Sequence, residues 1–335
     1  IAHYLPAPND IKQSLIENME LSRINRIRMQ FPQEKVADPQ LLSTMMLDLE
    51  QFHIKATFGN DLSEVQRSYR ILVEASAYML QKIDPEKHPD SYAKVCLLYH
   101  DAQCVRNRPD QALLYAKIAY MVLLSVEEIE PGYTKEQRDN LKINAIRCEA
   151  VAYHNMGLDK LVPDILLQKC CAMSAYRNLA SYWEPLVLRD LINSLVLLPR
   201  YSIREVNKIA KHIESVCERN NDPFTLLLVR ESWLRSQIKR GKIKFAQCLF
   251  QEEVNRLPYL PYVGALHKAL LFKSGAELAW RQNDLDAWKI YITKAVTLMQ
   301  RAGLNHQLDL VKQTYGEALI PIFTHLEAGQ DSGIT

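Results

Sequence analysis

Glycine is scarce in this chain, 10 among 335 residues, or about half the usual frequency. Tight β-turns and bulges depend on glycine, so the scarcity argues against sheets and for helices joined by short turns. No apolar run reaches the roughly 18 residues that a membrane span needs, and the opening IAHYLPAPND lacks the basic and apolar regions of a signal peptide. Neither charge predominates: 41 basic and 39 acidic residues leave a net charge of +2. That balance speaks against direct nucleic-acid contact. The phosphate-cradling patterns GxxxxGK[ST] and GxGxxG are missing, as are HExxH and GxSxG. The sequence is therefore expected to be no enzyme and to carry no cofactor or metal.

The seven cysteines show no CxxC spacing and are odd in number. They read as reduced, buried, small hydrophobes of a cytoplasmic protein. His100 and His154 fall on first helices as structural or groove-facing histidines rather than ligands. The doublets Glu127-Glu128 and Glu252-Glu253 diverge by about 100° on a helix and read as solvated faces. The basic cluster Lys239, Arg240, Lys242 and Lys244, around Gly241, reads as a solvated helix end.

What the chain has in abundance is helix-forming residues, with 48% of all residues apolar, arranged in a recurring helix, turn, helix unit. In residues 142–178 a helix ends at Gly157, Asp159 opens a second one, and Pro163 fits its first turn. Ala150 permits close helix approach and Tyr153, one turn on, fills the gap. Residues 264–303 repeat the scheme, with Ala276 and Ala279, a turn at Asn283-Asp284-Leu285, then Trp288, Tyr291 and Ala295. Residues 91–125 give a third copy, turning at Asn107 to Asp110, with Ala112 and Ala119 on one face. Weaker pairs occupy 38–83 (Asp61 or Ser63 as cap), 181–219 (Ser202 as cap) and 224–257 (turn at Gly241). Residues 8–30 read as a leading amphipathic helix and 305–327 as a closing one.

The small-then-large order of Ala150 and Tyr153, and the string NDLDAWKIYITKA, resemble the tetratricopeptide (TPR) repeat. The resemblance implies an all-α fold, a right-handed α-α superhelix of about six helix pairs with terminal helices. Residues 1–37 would be linker and leading helix, 38–304 a degenerate solenoid, and 305–335 a capping helix and disordered tail. The stretch ADPQLLSTMMLDLEQFHIKA, followed by LSEVQRSYRILVEASAYMLQ and the pairs at 91–125 and 264–303, resembles the C-terminal sensor half of bacterial helix-turn-helix transcriptional regulators. That likeness implies a sensor domain without its DNA-reading module, or else a stand-alone adaptor.

First helices line the concave wall of such a solenoid. Counting back from each turn places Asn144, Arg147, Val151, His154 and Asn155 inward, then Arg189, Asp190 and Asn193. They are followed by Glu231, Arg235 and Lys239, and finally Lys273, Glu277, Trp280 and Arg281. Asn amides can hold both polar groups of an extended backbone and Arg a carboxylate, so the expected ligand is a peptide or partner segment. A constitutive scaffold or adaptor is the alternative, and the apolar faces of the terminal helices suit a homodimer.

Overall fold

A computed structural model describes residues 39–171, 173, 176, 179–198, 201–260 and 263–324; the helix expected at 8–30 lies outside them. Thirteen α-helices occur among these residues, and no strand does. In order they are α1 (Pro39–Phe58), α2 (Leu62–Lys82), α3 (Pro89–Val105), α4 (Pro109–Ser125), α5 (Lys135–Asn155), α6 (Val162–Asp164), α7 (Ala180–Leu195), α8 (Ile203–Arg219), α9 (Pro223–Lys239), α10 (Ile243–Arg256), α11 (Ala265–Arg281), α12 (Leu285–Ala302) and α13 (Asn305–Tyr315). The odd-numbered helices from α1 to α11 are the first members of successive pairs and pack on their own partners; α1 to α9 also pack on the first helix of the next pair, and α13 packs on α12. The fold is an all-α solenoid of six pairs followed by α13.

Local chemistry accounts for the punctuation. The turns inside four pairs contain a left-handed residue: Asn107, Gly157, Gly241 and Asn283. Glycine and asparagine adopt that conformation at least cost, and it stops a helix by redirecting the chain. The second helix then restarts on a cap. Asp61 accepts from the Ser63 and Glu64 amides, and Asp284 from that of Ala287. Ser202 and Glu205 close a reciprocal capping box at α8. The alanines at the crossings (Ala112, Ala119, Ala150, Ala276, Ala279 and Ala295) are all buried.

The second helix of the third pair departs from expectation. Asp159–Leu161 is a 3-10 turn, α6 is one α turn, and Ile165–Cys170 is π-helical. Two local causes stand out. Asp159 is held by His154 Nδ1 at 2.5 Å and caps no helix. Pro163 lacks the amide that would bond back to the Asp159 carbonyl.

Two solvated readings also need correction. Glu253 is fully buried, with Oε1 2.9 Å from Arg230 Nη1, and Arg230 further binds Glu214 and Glu252. Arg240 donates to the carbonyls of Leu195, Leu198 and Tyr201, closing the C-terminus of α7. The other members of these groups, Glu252, Lys239, Lys242 and Lys244, are exposed as expected, and so are Glu127 and Glu128, although they lie beyond the end of α4 and not on a helix.

The largest finding is that the row of pairs closes on itself. Helix α11 packs on α1, α12 on α2, and α13 on α3. One apolar cluster joins Ala56, Val65 and Tyr69 from the start of the row to Trp288, Ile292, Val296 and Met299 from its end. Polar bonds cross the same seam, from Lys268 to Asn60 at 2.7 Å and from Asn107 to Asp309 at 2.9 Å. Helix α13 was expected to cap an open end; it is instead part of the seal. The helix itself ends at Tyr315, ahead of the 3-10 turn Gly316–Leu319.

Candidate functional site

Closure turns the inner wall into the lining of a central cavity of about 240 Å³. Eight of the residues placed inward by sequence line it: Val151, His154 and Asn155 from α5, Arg189, Asp190 and Asn193 from α7, and Glu231 and Arg235 from α9. Asn144 and Arg147 stand beside the cavity in the α5 wall, where Arg147 Nε reaches Asp190 Oδ2 at 2.6 Å and Nη1 reaches Asn144 Oδ1 at 3.4 Å. Lys273 adjoins the cavity by donating to the lining residue Gln307 at 3.0 Å.

The outermost residues of the expected site behave differently. Trp280 is 42% exposed and packs on Trp288 and Tyr315, with ring centroids 5.1 and 5.6 Å away. Arg281 is exposed and bonds Glu277 one turn back. Lys239 too is exposed.

The lining side chains brace one another across successive first helices. Asp190 takes bonds from Arg147 and Arg189, Asn193 from Arg235, and Glu231 from Ser274 at 3.0 Å. These partners lie 42 or 43 residues apart in sequence wherever they bridge neighbouring helices. A polar belt so held is preorganised, and its groups keep their positions without a ligand. Asn155 is the contrast, making no side-chain hydrogen bond among the described residues.

Electrostatics follow from confinement. Burial, then the Arg235 guanidinium, push the Lys273 ammonium down to about 8. Burial, with Arg189 adding to it, pushes His267 down to about 4, leaving a neutral ring in the wall. For Asp190, burial works against ionisation, but Arg147 and Arg189 outweigh it and hold the carboxyl below its usual range.

Several lining groups were not foreseen. Cys104 and Val105 come from α3, Leu266, His267 and Leu270 from α11, and His306 and Gln307 from α13. The α13 contribution exists only because the row closes: His306 Nδ1 lies 2.8 Å from Asn107 Oδ1 across the seam.

On the α3 side of the wall, next to Cys104, lies a group of metal-type donors. His100, Asp101 and Cys148 place one ligand atom each within 4.8 Å of one another. His53 Nε2 lies 3.1 Å from the second Asp101 oxygen. Burial would raise the Asp101 carboxyl, but the bonds from His100 and His53 hold it well below the usual range. No spacing rule finds this group, because Cys148 comes from the neighbouring first helix, 48 residues beyond His100.

No family model matches the chain, and comparison with curated proteins finds no significant match. Among the described residues no helix is long and apolar enough to cross a membrane.

Proposed function

We propose that the chain is a TPR-type sensor domain of a regulatory protein of the transcriptional kind and that it binds a short peptide or partner segment at its inner wall. One observation carries this reading: eight inward residues chosen from turn positions alone converge from three helices on one cavity. The lining mixes amides, cations and carboxylates with the apolar Leu228, Leu266, Leu270 and Leu304. That composition suits an extended backbone with alternating polar and apolar demands.

The cavity's size gives the sensor its mechanism. At about 240 Å³ it lies below the roughly 300–1,000 Å³ of ordinary ligand pockets. A peptide of several residues therefore enters with the seam between α2 and α12 loosened, and binding shifts the chain from a closed to an opened ring. A ligand shifts such an equilibrium by its difference in affinity for the two states.

Calorimetry with a peptide library tests the proposal. The side chains to remove are Asn155, which has no partner to strand, and Asn193. Arg147 is a poor choice, because its loss leaves the Asp190 carboxylate short of a partner. Binding that is undiminished in the Asn155→Ala/Asn193→Ala variant would remove the site from consideration.

A second reading, a constitutive adaptor, draws on the outer surface of α4. Leu114, Met121 and Leu124 are exposed there and share one face. Light scattering and pull-down with Met121→Glu separate the two readings, since the inner-wall proposal requires no effect on peptide affinity.

A further inference from the structure

The cluster beside Cys104 supports an inference that does not depend on the peptide reading. His100 is 1% exposed, and its Nδ1 lies 2.9 Å from Asp101 Oδ1. A ring nitrogen facing a carboxylate carries the proton, so Nδ1–H donates and the ring is fixed in orientation. Metal-binding histidines are characteristically held in this way, with a carboxylate behind the ring. The other nitrogen, Nε2, faces Cys104 Sγ at 3.6 Å and the Cys148 carbonyl oxygen at 3.0 Å. Two ligands of a tetrahedral zinc ion, one nitrogen at about 2.0 Å and one sulfur at about 2.3 Å, stand about 3.5 Å apart. The observed separation of Nε2 and Sγ thus matches that of a metal-binding pair. His100 and Cys104 are four residues apart on α3, the spacing that puts two donors on one helical face. Cys148, on α5, has its Sγ within 4.8 Å of a ligand atom of His100 and of one of Asp101.

We propose that His100 Nε2, Cys104 Sγ and Cys148 Sγ form a site for a thiophilic divalent metal ion of the zinc class, with Asp101 as the positioning carboxylate behind the imidazole. The ion replaces the Nε2 proton now shared with the Cys148 carbonyl and the two thiol protons, and all three protons pass to solvent. Two thiolates balance the charge of the dication, and the Asp101 carboxylate behind the ring keeps its bonds to His100 and His53. Two sulfurs and one imidazole select zinc-like ions over magnesium or calcium. Cys104 lines the central cavity, which gives the ion its route to the cluster. Asp101 also accepts from His53 on α1, so the site ties α1, α3 and α5 together.

The test is a titration of the full chain, kept reduced and stripped of metal by a chelator, with Co²⁺ and then Zn²⁺. One equivalent of Co²⁺ should produce a thiolate-to-metal charge-transfer band and the strong visible absorption of a tetrahedral centre. Zn²⁺ should bleach both and raise the Tm. Cys104→Ser and Cys148→Ala should each remove about half of the charge-transfer intensity, while Cys248→Ser, at an exposed cysteine, should leave it unchanged. Asp101→Asn should keep the band but weaken binding about 10- to 100-fold. A folded chain with no such band overturns the site, and so does a band that survives Cys104→Ser but disappears in Cys248→Ser. If Cys148→Ala fails to fold, Cys104→Ser decides alone, since that cysteine is only half-buried.

Discussion

The Ala265 amide donates to the Gly59 carbonyl at 3.2 Å, joining the start of the sixth helix pair to the turn of the first. No neighbouring-repeat rule anticipates this bond, because a solenoid's pairs ordinarily touch only the pairs before and after them. Its counterpart is the shared apolar cluster of α2 and α12. Together they make the inner wall a closed surface.

Gly264 is the point at which closure is most easily disturbed. A Cβ there would lie 2.3 Å from the Thr57 carbonyl oxygen and 3.0 Å from Phe58 Cα, both backbone atoms. Gly264→Ala should therefore wedge α11 away from α1 at a cost of about 1–3 kcal/mol. Small-angle scattering should show a larger radius of gyration, and amide exchange should quicken in α1, α2 and α12. An unchanged radius with unchanged exchange would show that the seam is not held here.

Arg230 and its carboxylates separate buried from exposed pairing. Arg230→Met leaves the fully buried Glu253 with Arg256 alone, 3.5 Å away. That loss should cost about 3–5 kcal/mol. Glu252→Ala removes a side chain that is 55% exposed and should cost less than about 1 kcal/mol. Urea unfolding of the two variants measures both, and equal losses would contradict the burial argument.

Lys273 gives stability an alkaline dependence. Its folded pKa, about 8, lies below the roughly 10.4 of a free lysine. Between these values the unfolded chain holds more protons, so stability rises with pH across that window. Lys273→Met should flatten the rise and stabilise the chain at pH 7 by on the order of 1–3 kcal/mol. Thermal unfolding from pH 7 to 10.5 tests this, and an equal slope in both proteins would refute it.

His267 acts on the acid side. Its folded pKa of about 4 lies below the free value near 6.5. The unfolded state therefore takes up the proton first, and stability falls as pH drops from 6.5 towards 4. His267→Leu should reduce that fall by on the order of 2–3 kcal/mol. Urea midpoints measured across that range give the comparison; parallel curves would assign the acid sensitivity to other groups.

The turns were legible because Asn107, Gly157, Gly241 and Asn283 are the residue types that tolerate left-handed backbone, and counting back from three of them fixed much of the inward face. Alanine at the crossings was legible for a similar reason, since close approach leaves room for little else. What could not be read off was anything that depends on curvature summed over six pairs. His306 and Gln307 reach the cavity through closure, and Cys148 meets His100 through the stacking of separate repeats. Glu253 looked solvated because its partner, Arg230, lies 23 residues away on another helix. The irregular helix after Gly157 was missed because Asp159 was assigned to a cap, while a histidine one turn earlier claimed its carboxylate.

The first helices begin at residues 39, 89, 135, 180, 223, 265 and 305, so successive units shorten along the chain. A loop built from unequal units has room for a fixed number of them. Duplicating or deleting one, which open arrays tolerate, would leave the last unit unable to meet the first. Such an assembly also has no free end from which to fray, so it should melt in a single cooperative step rather than unravel unit by unit.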